Sequence, residues 1–242
     1  MAIVFFGHFG GKDHPSSHFE SHEQQILSQA VADVSESISQ ALIAARHNFK
    51  GYHDQIKLWF GEVTPEQMED LKRAVYNMHS TFMDPKTFIK FIDARGQYFH
   101  PYMGRLPLSN IADAKYDELM MQGGKRTKIS EHTHGLVYHL SWPSSDGKYN
   151  GHAGSVMNIY IGAKYFCFST SKKVREQTIL HEYSHNALFT VDYAVTRPSR
   201  VNPGDCAFIY DEEACQWLAT VNSLEAIRNA ECWGYFLSGF TE

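Results

Sequence analysis

His181-Glu182-Tyr183-Ser184-His185 constrains this chain more than any other stretch, because each fixed letter of its H-E-x-x-H spacing has a mechanical use. Four residues are a little over one helical turn, so on a helix both imidazoles leave the same face, roughly 6 Å apart. That separation lets two ring nitrogens each sit about 2.0–2.1 Å from one zinc ion. Glu182 would then face the open side of the metal, where a carboxylate can take a proton from activated water. The motif needs a helix, and the surrounding residues supply one. Ser171 is a good N-cap, and neither glycine nor proline interrupts the chain from there to Pro198. Val174, Thr178, Ile179, Tyr183 and Ala187 predict one apolar stripe, with the histidines turned toward a neighbouring cleft.

Two places can supply a third metal ligand. Asp192 lies seven residues beyond His185, where the chain leaves the helix and can turn back beneath the metal. Glu212 and Glu213 open what reads as another helix, with Ala214, Trp217, Leu218 and Val221 on its apolar face. The acidic group 211–213 would equally suit a helix start, where negative charge meets the helix dipole. Spacing leaves the choice open.

A wider set of segments bears on it. Thr190-Val191-Asp192-Tyr193 follows the motif, and Asn229-Ala230-Glu231 begins a run ending in Tyr235-Phe236. Trp59-Phe60-Gly61 comes earlier, Ile159-Tyr160-Ile161-Gly162 and Cys167 precede the motif, and Cys215, Leu218 and Ala219 precede Asn229. In this order they resemble the aspzincin metalloendopeptidases, the deuterolysin and peptidyl-Lys family, from about residue 20 to about 240. The resemblance implies an α+β zincin-like fold with a helical N-terminal layer, a small twisted sheet, a zinc helix and C-terminal helices. It implies Zn2+ held by His181, His185 and Asp192, with Glu182 as general base. It implies hydrolysis of a protein or peptide substrate, with Glu231 receiving a lysine on the primed side of the scissile bond. Two family positions differ here: the glycine before Thr190 is Phe189, and the tyrosine that stabilises the oxyanion is Val195. Tyr193 is the candidate catalytic replacement, with Tyr210 a second.

Other readings keep part of this chemistry. An exported bacterial effector could use it on host or competitor proteins, or on the peptide cross-links of a cell wall. A zinc-stabilised binding module would keep the metal without turnover.

A chain of 242 residues with 43% hydrophobic and 14% aromatic content suits one globular catalytic domain. We expect that domain over residues 21–242, with an N-terminal segment over 1–20 and an insertion at about 94–135 that could act as a lid or exosite. A net charge of −5 argues against a nucleic-acid partner. No apolar run reaches the length of a membrane span. Ile3-Val4-Phe5-Phe6 is too short for a signal-peptide core, so the expectation is secretion or export by another route, or else a cytoplasmic protein. Of the four cysteines, Cys206 and Cys215 are spaced to bridge, while four free thiols are an equal expectation. Several of the fourteen histidines, including His8, His14, His18, His22, His132, His134, His139 and His152, offer material for a second metal site.

The remaining chain reads as helix and strand. Leu27, Val31, Val34, Ile38, Leu42 and Ala45 predict a long helix over about 21–49. Ile56 to Phe60 forms a second. Thr64-Pro65-Glu66-Gln67 is a capping-box start for a third, whose buried face is Met68, Leu71, Val75, Met78 and Phe82. Strands are expected at 87–92, 136–142 and 156–161, the last two around a turn at 144–147. The strand ahead of the zinc helix could pair with an extended substrate by strand addition.

Overall fold

The computed structural model describes residues 1–9, 12–14, 19–93, 135–137, 156–192, 194–198 and 203–241. The predicted insertion up to residue 134, the turn at 144–147, Tyr193 and the histidines at 132, 134, 139 and 152 lie outside them, as do the side chains of His8, His14 and His18. The chain divides into two compact units, residues 1–29 with 85–175 and residues 30–84 with 176–242.

The first unit is built on a five-stranded mixed sheet of order β2-β1-β3-β5-β4. Its strands are β1 (Ala2–Phe9), β2 (Lys12–His14), β3 (Phe88–Asp93), β4 (Gly135–Val137) and β5 (Val156–Ile161). The three inner strands run parallel, with Phe5 opposite Phe91 and Phe91 opposite Ile159. The short outer strands β2 and β4 are antiparallel to their neighbours. One face of the inner strands is closed, with Ile89, Phe91, Met157, Ile159 and Ile161 buried, while Phe88, Lys90 and Tyr160 on the other face are at least partly exposed. The strand at residues 2–9 is a departure from the sequence reading, which judged Ile3–Phe6 only as a leader. A short apolar run bounded by glycine is also what an inner strand requires.

The second unit is helical apart from a hairpin of β6 (Ala194–Pro198) and β7 (Pro203–Phe208). The first long helix, α1 (Ser21–Arg46), begins in the first unit and passes into the second at residue 30, and it buries all six residues expected of it. It ends three residues earlier than expected because Asn48 and Phe49 turn left-handed, and the Phe49 N–H donates back to the Ala44 carbonyl. After α2 (His53–Phe60), helix α3 (Pro65–Met83) starts on the predicted capping box. Gln67 N–H donates to Thr64 Oγ1 at 3.2 Å, and Thr64 N–H to Gln67 Oε1 at 2.7 Å. The zinc-motif segment forms α4 (Lys172–Leu188), and α5 (Glu212–Val221), α6 (Ser223–Arg228) and α7 (Ala230–Ser238) close the chain.

Aromatic side chains lock these helices together. Phe60 lies 5.0 Å from Trp233 and 4.9 Å from Phe236, ring centre to ring centre, and Trp59 stacks on Tyr235 at 4.8 Å. The buried Trp233 indole satisfies its N–H on the Ile227 carbonyl at 2.7 Å. Gly61 makes the turn after α2 possible: its φ is +75°, and a Cβ there would fall 2.0 Å from the Ala219 carbonyl oxygen. Among the described residues, no helix is long and apolar enough to cross a membrane.

Candidate metal centre

Helix α4 begins as expected, with Ser171 Oγ accepting from the Val174 N–H at 3.2 Å. Its burial does not follow the single stripe predicted. Every residue from Ile179 to His185 is buried, including Glu182 at 4% exposure and His185 at 5%. Tyr183 anchors one side, its hydroxyl donating to the Met78 carbonyl at 2.7 Å and its ring edge-on to Phe82. The polar side chains of the motif are thus held in the interior. Buried polar groups need partners, and a motif helix buried all round therefore signals a site.

The chain leaves α4 through Phe189, which takes a left-handed φ of +57°. Glycine is the usual residue for that turn, so Phe189 accepts strain to turn the chain back toward the histidines, as the position of Asp192 allowed. Thr190 then returns to the helix. Its carbonyl lies 2.8 Å from His185 Nδ1, and its hydroxyl 2.7 Å from Ser184 Oγ. Val191 bridges to the start of α7, its N–H donating to the Arg228 carbonyl and its own carbonyl accepting from Ala230. The two residues leading into Asp192 are thereby tied to α4 and to α7.

Three donor atoms converge there. His181 Nε2 and His185 Nε2 are 3.1 Å apart, and Asp192 Oδ1 lies 3.2 Å from the first and 3.3 Å from the second. Ligands about 2.0–2.1 Å from a tetrahedral zinc stand about 3.3 Å from one another, so the triangle has the edges such a site needs. Two imidazoles and a carboxylate are also donors zinc accepts. His181, Glu182 and His185 form a buried group able to hold a metal ion, their ligand atoms within 4.8 Å of one another. Asp192 is 36% exposed at its side chain, which leaves one side of the triangle open.

The remaining nitrogens point outward to fixed partners. His185 Nδ1 faces the Thr190 carbonyl, and His181 Nδ1 lies 2.6 Å from Glu231 Oε2. Both rings are thereby set to present Nε2. The charges of the cluster hold one another in place. Burial alone would lower the His181 pKa, but its hydrogen bonds to Asp192 and Glu231 and the nearby charge of Glu182 hold it well above its ordinary value. Burial alone would raise Asp192, but donation from His181 and His185 holds it well below the usual carboxylate range.

The other sequence candidates fall as follows. Glu212 and Glu213 are exposed on the first turn of α5, where Asp211 caps the helix by accepting from the Ala214 N–H at 2.7 Å. That is the capping role, and it leaves Asp192 beside the histidines. The Tyr210 hydroxyl reaches the Asp192 carboxylate, and its ring centre lies 6.2 Å from that of His181. Burial of that hydroxyl and the negative charge of Asp192, Glu182 and Glu231 push its pKa well up, so it stays a proton donor. Val195 lies in β6, whose side chains are outside the described residues. Glu231, expected to meet a lysine side chain, lies against the His181 ring. Cys215 and Cys232 are in no disulfide, and the side chain of Cys206, considered as a partner for Cys215, lies outside the described residues.

Comparison with known proteins adds one finding. A solved zinc peptidase from Grifola frondosa superposes with a TM-score of 0.52, at 17% sequence identity, over 91% of this chain and 97% of that one. The likeness is one of fold. No protein-family model matches the sequence, and no curated protein matches it significantly. The α+β zincin-like architecture expected from the resemblance agrees with that superposition.

Proposed function

We propose that this protein is a zinc-dependent endopeptidase, hydrolysing peptide bonds in protein or peptide substrates. The observation that carries the reading is the triangle of His181 Nε2, His185 Nε2 and Asp192 Oδ1, with edges of 3.1–3.3 Å, beside the buried carboxylate of Glu182 on the helix that carries both histidines. The fold shared with a zinc peptidase supports it.

His181, His185 and Asp192 would hold the metal. Zinc in such a site supplies Lewis acidity, lowering the pKa of water to about 7 and polarising a carbonyl. Glu182 accepts the proton of the attacking water and returns it to the departing amine. Its burial keeps competing solvent away and strengthens its interaction with neighbouring charge. Tyr210 donates its hydroxyl hydrogen to the oxyanion that develops on the carbonyl, the task the family gives to the position of Val195. Asp192 holds that hydroxyl beside the histidines until substrate arrives.

A preference for lysine on the primed side of the scissile bond is carried by the family resemblance alone. Digestion of casein and of peptidoglycan, with the new ends read by mass spectrometry, tests both this preference and a cell-wall target. Export from the cell is likewise a proposal resting on the resemblance. The decisive variant is Glu182→Gln, which keeps the shape and removes the base. It is expected to retain zinc and lose cleavage by at least about 100-fold, the low end of what proton transfer by a positioned group contributes. Undiminished cleavage would overturn the mechanism.

A further inference from the structure

We infer that Glu231 serves His181 rather than the substrate: it is the positioning carboxylate that fixes the ring of the first metal-binding histidine. This rests on the metallopeptidase reading of the same site, and gives one of its residues a different task.

The geometry is specific. Glu231 Oε2 and His181 Nδ1 are 2.6 Å apart, just below the roughly 2.7–2.9 Å of a charge-assisted N–H to carboxylate bond. The two side chains are 19% and 10% exposed, so water competes little for either. The contact joins residues fifty positions apart, and three features of the sequence produce it. Gly234 lets α7 lie against α4, since a Cβ there would come 3.2 Å from the Gln177 carbonyl oxygen and 3.6 Å from His181 Cβ. One turn earlier, Glu231 sits in the first turn of α7, where the helix dipole favours a negative side chain. Asn229 starts that turn, its side chain accepting from the Cys232 N–H at 2.9 Å. The same residue pairs with Val191, next to Asp192. The start of α7 therefore organises two of the three donors at once, the imidazole of His181 and the carboxylate of Asp192.

A carboxylate bonded to the outer nitrogen of a ligating histidine sets which nitrogen meets the metal and makes that nitrogen a better donor. Removing such partners lowers metal affinity by roughly 10–100-fold. A lysine-receiving acid would behave otherwise. It would leave metal affinity alone and alter only substrates that carry the ammonium.

The test uses the full chain as wild type, Glu231→Ala and Glu231→Gln. Zinc affinity is measured by competition with a chromophoric chelator, and kcat and KM with two peptides that differ only in lysine or norleucine after the scissile bond. The expected result is a 10–100-fold loss of zinc affinity in Glu231→Ala. A smaller loss is expected in Glu231→Gln, whose amide oxygen still accepts from Nδ1. At saturating zinc, both peptides should lose kcat by the same factor, with KM little changed. Unchanged zinc affinity in both variants, with the loss confined to KM of the lysine peptide, would overturn the inference. A third readout separates it from the reading it rests on. In metal-free protein, nitrogen-edited NMR should show a slowly exchanging His181 Nδ1 proton in wild type that disappears in Glu231→Ala. A wild type that binds no zinc yet shows this proton would sink the metallopeptidase reading and keep the contact. Absence of the proton in wild type would sink the contact.

Discussion

Zinc affinity should depend on pH in a direction and with a slope that the donor triangle dictates. In the metal-free protein His181 is held above its ordinary pKa, by Asp192 and Glu231 against the effect of burial. A ligating imidazole must be neutral at Nε2, so zinc must displace a proton from His181 wherever that proton is bound. One displaced proton costs a factor of ten in affinity for each pH unit below the raised pKa, or about 1.4 kcal/mol per unit. Chelator-competition titrations between pH 5.5 and 7.5 should therefore give a slope of at least about one in log affinity against pH. The stability of the metal-free protein runs the other way. A histidine with a raised folded pKa stabilises fully below its unfolded value of about 6.5, and that stabilisation is lost as pH rises through the folded value. The gap between the melting temperatures with and without zinc should thus widen from pH 6 to pH 8. A zinc affinity flat across the range would refute the assignment of His181 as a ligand that must lose a proton.

Two substitutions probe the site and the frame that carries it. Tyr210→Phe should keep zinc and lower kcat by about 10²–10³, the usual result of removing an oxyanion donor, with KM little changed; undiminished turnover would assign that donor to another group. Gly61→Ala should destabilise by more than about 3 kcal/mol, since it combines a backbone region nearly closed to other residues with a clash against the Ala219 carbonyl. Thermal unfolding reads it, and an unchanged midpoint would mean the turn can relax at no cost.

What could be read in the sequence was local. The capping box at Thr64 and Gln67, the six-residue stripe of α1 and the Ser171 start of α4 all depend on neighbours within one or two turns, and each formed where the pattern put it. The Asp211 cap was visible for the same reason, although it competed there with a ligand role for Glu212 and Glu213. Partners distant in sequence were not legible. No periodicity announces that Glu231 meets His181, because that contact depends on Gly234 allowing two helices to close on each other. Residues 2–9 form an inner strand only because β3, some eighty residues later, lies beside them. The hairpin of β6 and β7 passed unnoticed because Arg, Pro and Gly interrupt any alternation of apolar residues. Asp192 was selected through the family resemblance, and the structure gives the physical reason. Phe189 turns left-handed and the Val191 bridge holds the returning chain, neither of which a spacing of seven residues could reveal.

Metal content tests the central claim most directly. Purified wild type, His185→Ala and Asp192→Ala, each dialysed against trace zinc and analysed by inductively coupled plasma mass spectrometry, should give one zinc per chain in wild type and a substoichiometric amount in both variants. Full zinc retained in Asp192→Ala but lost in Glu213→Ala would contradict the coordination set, as would a wild type that binds none.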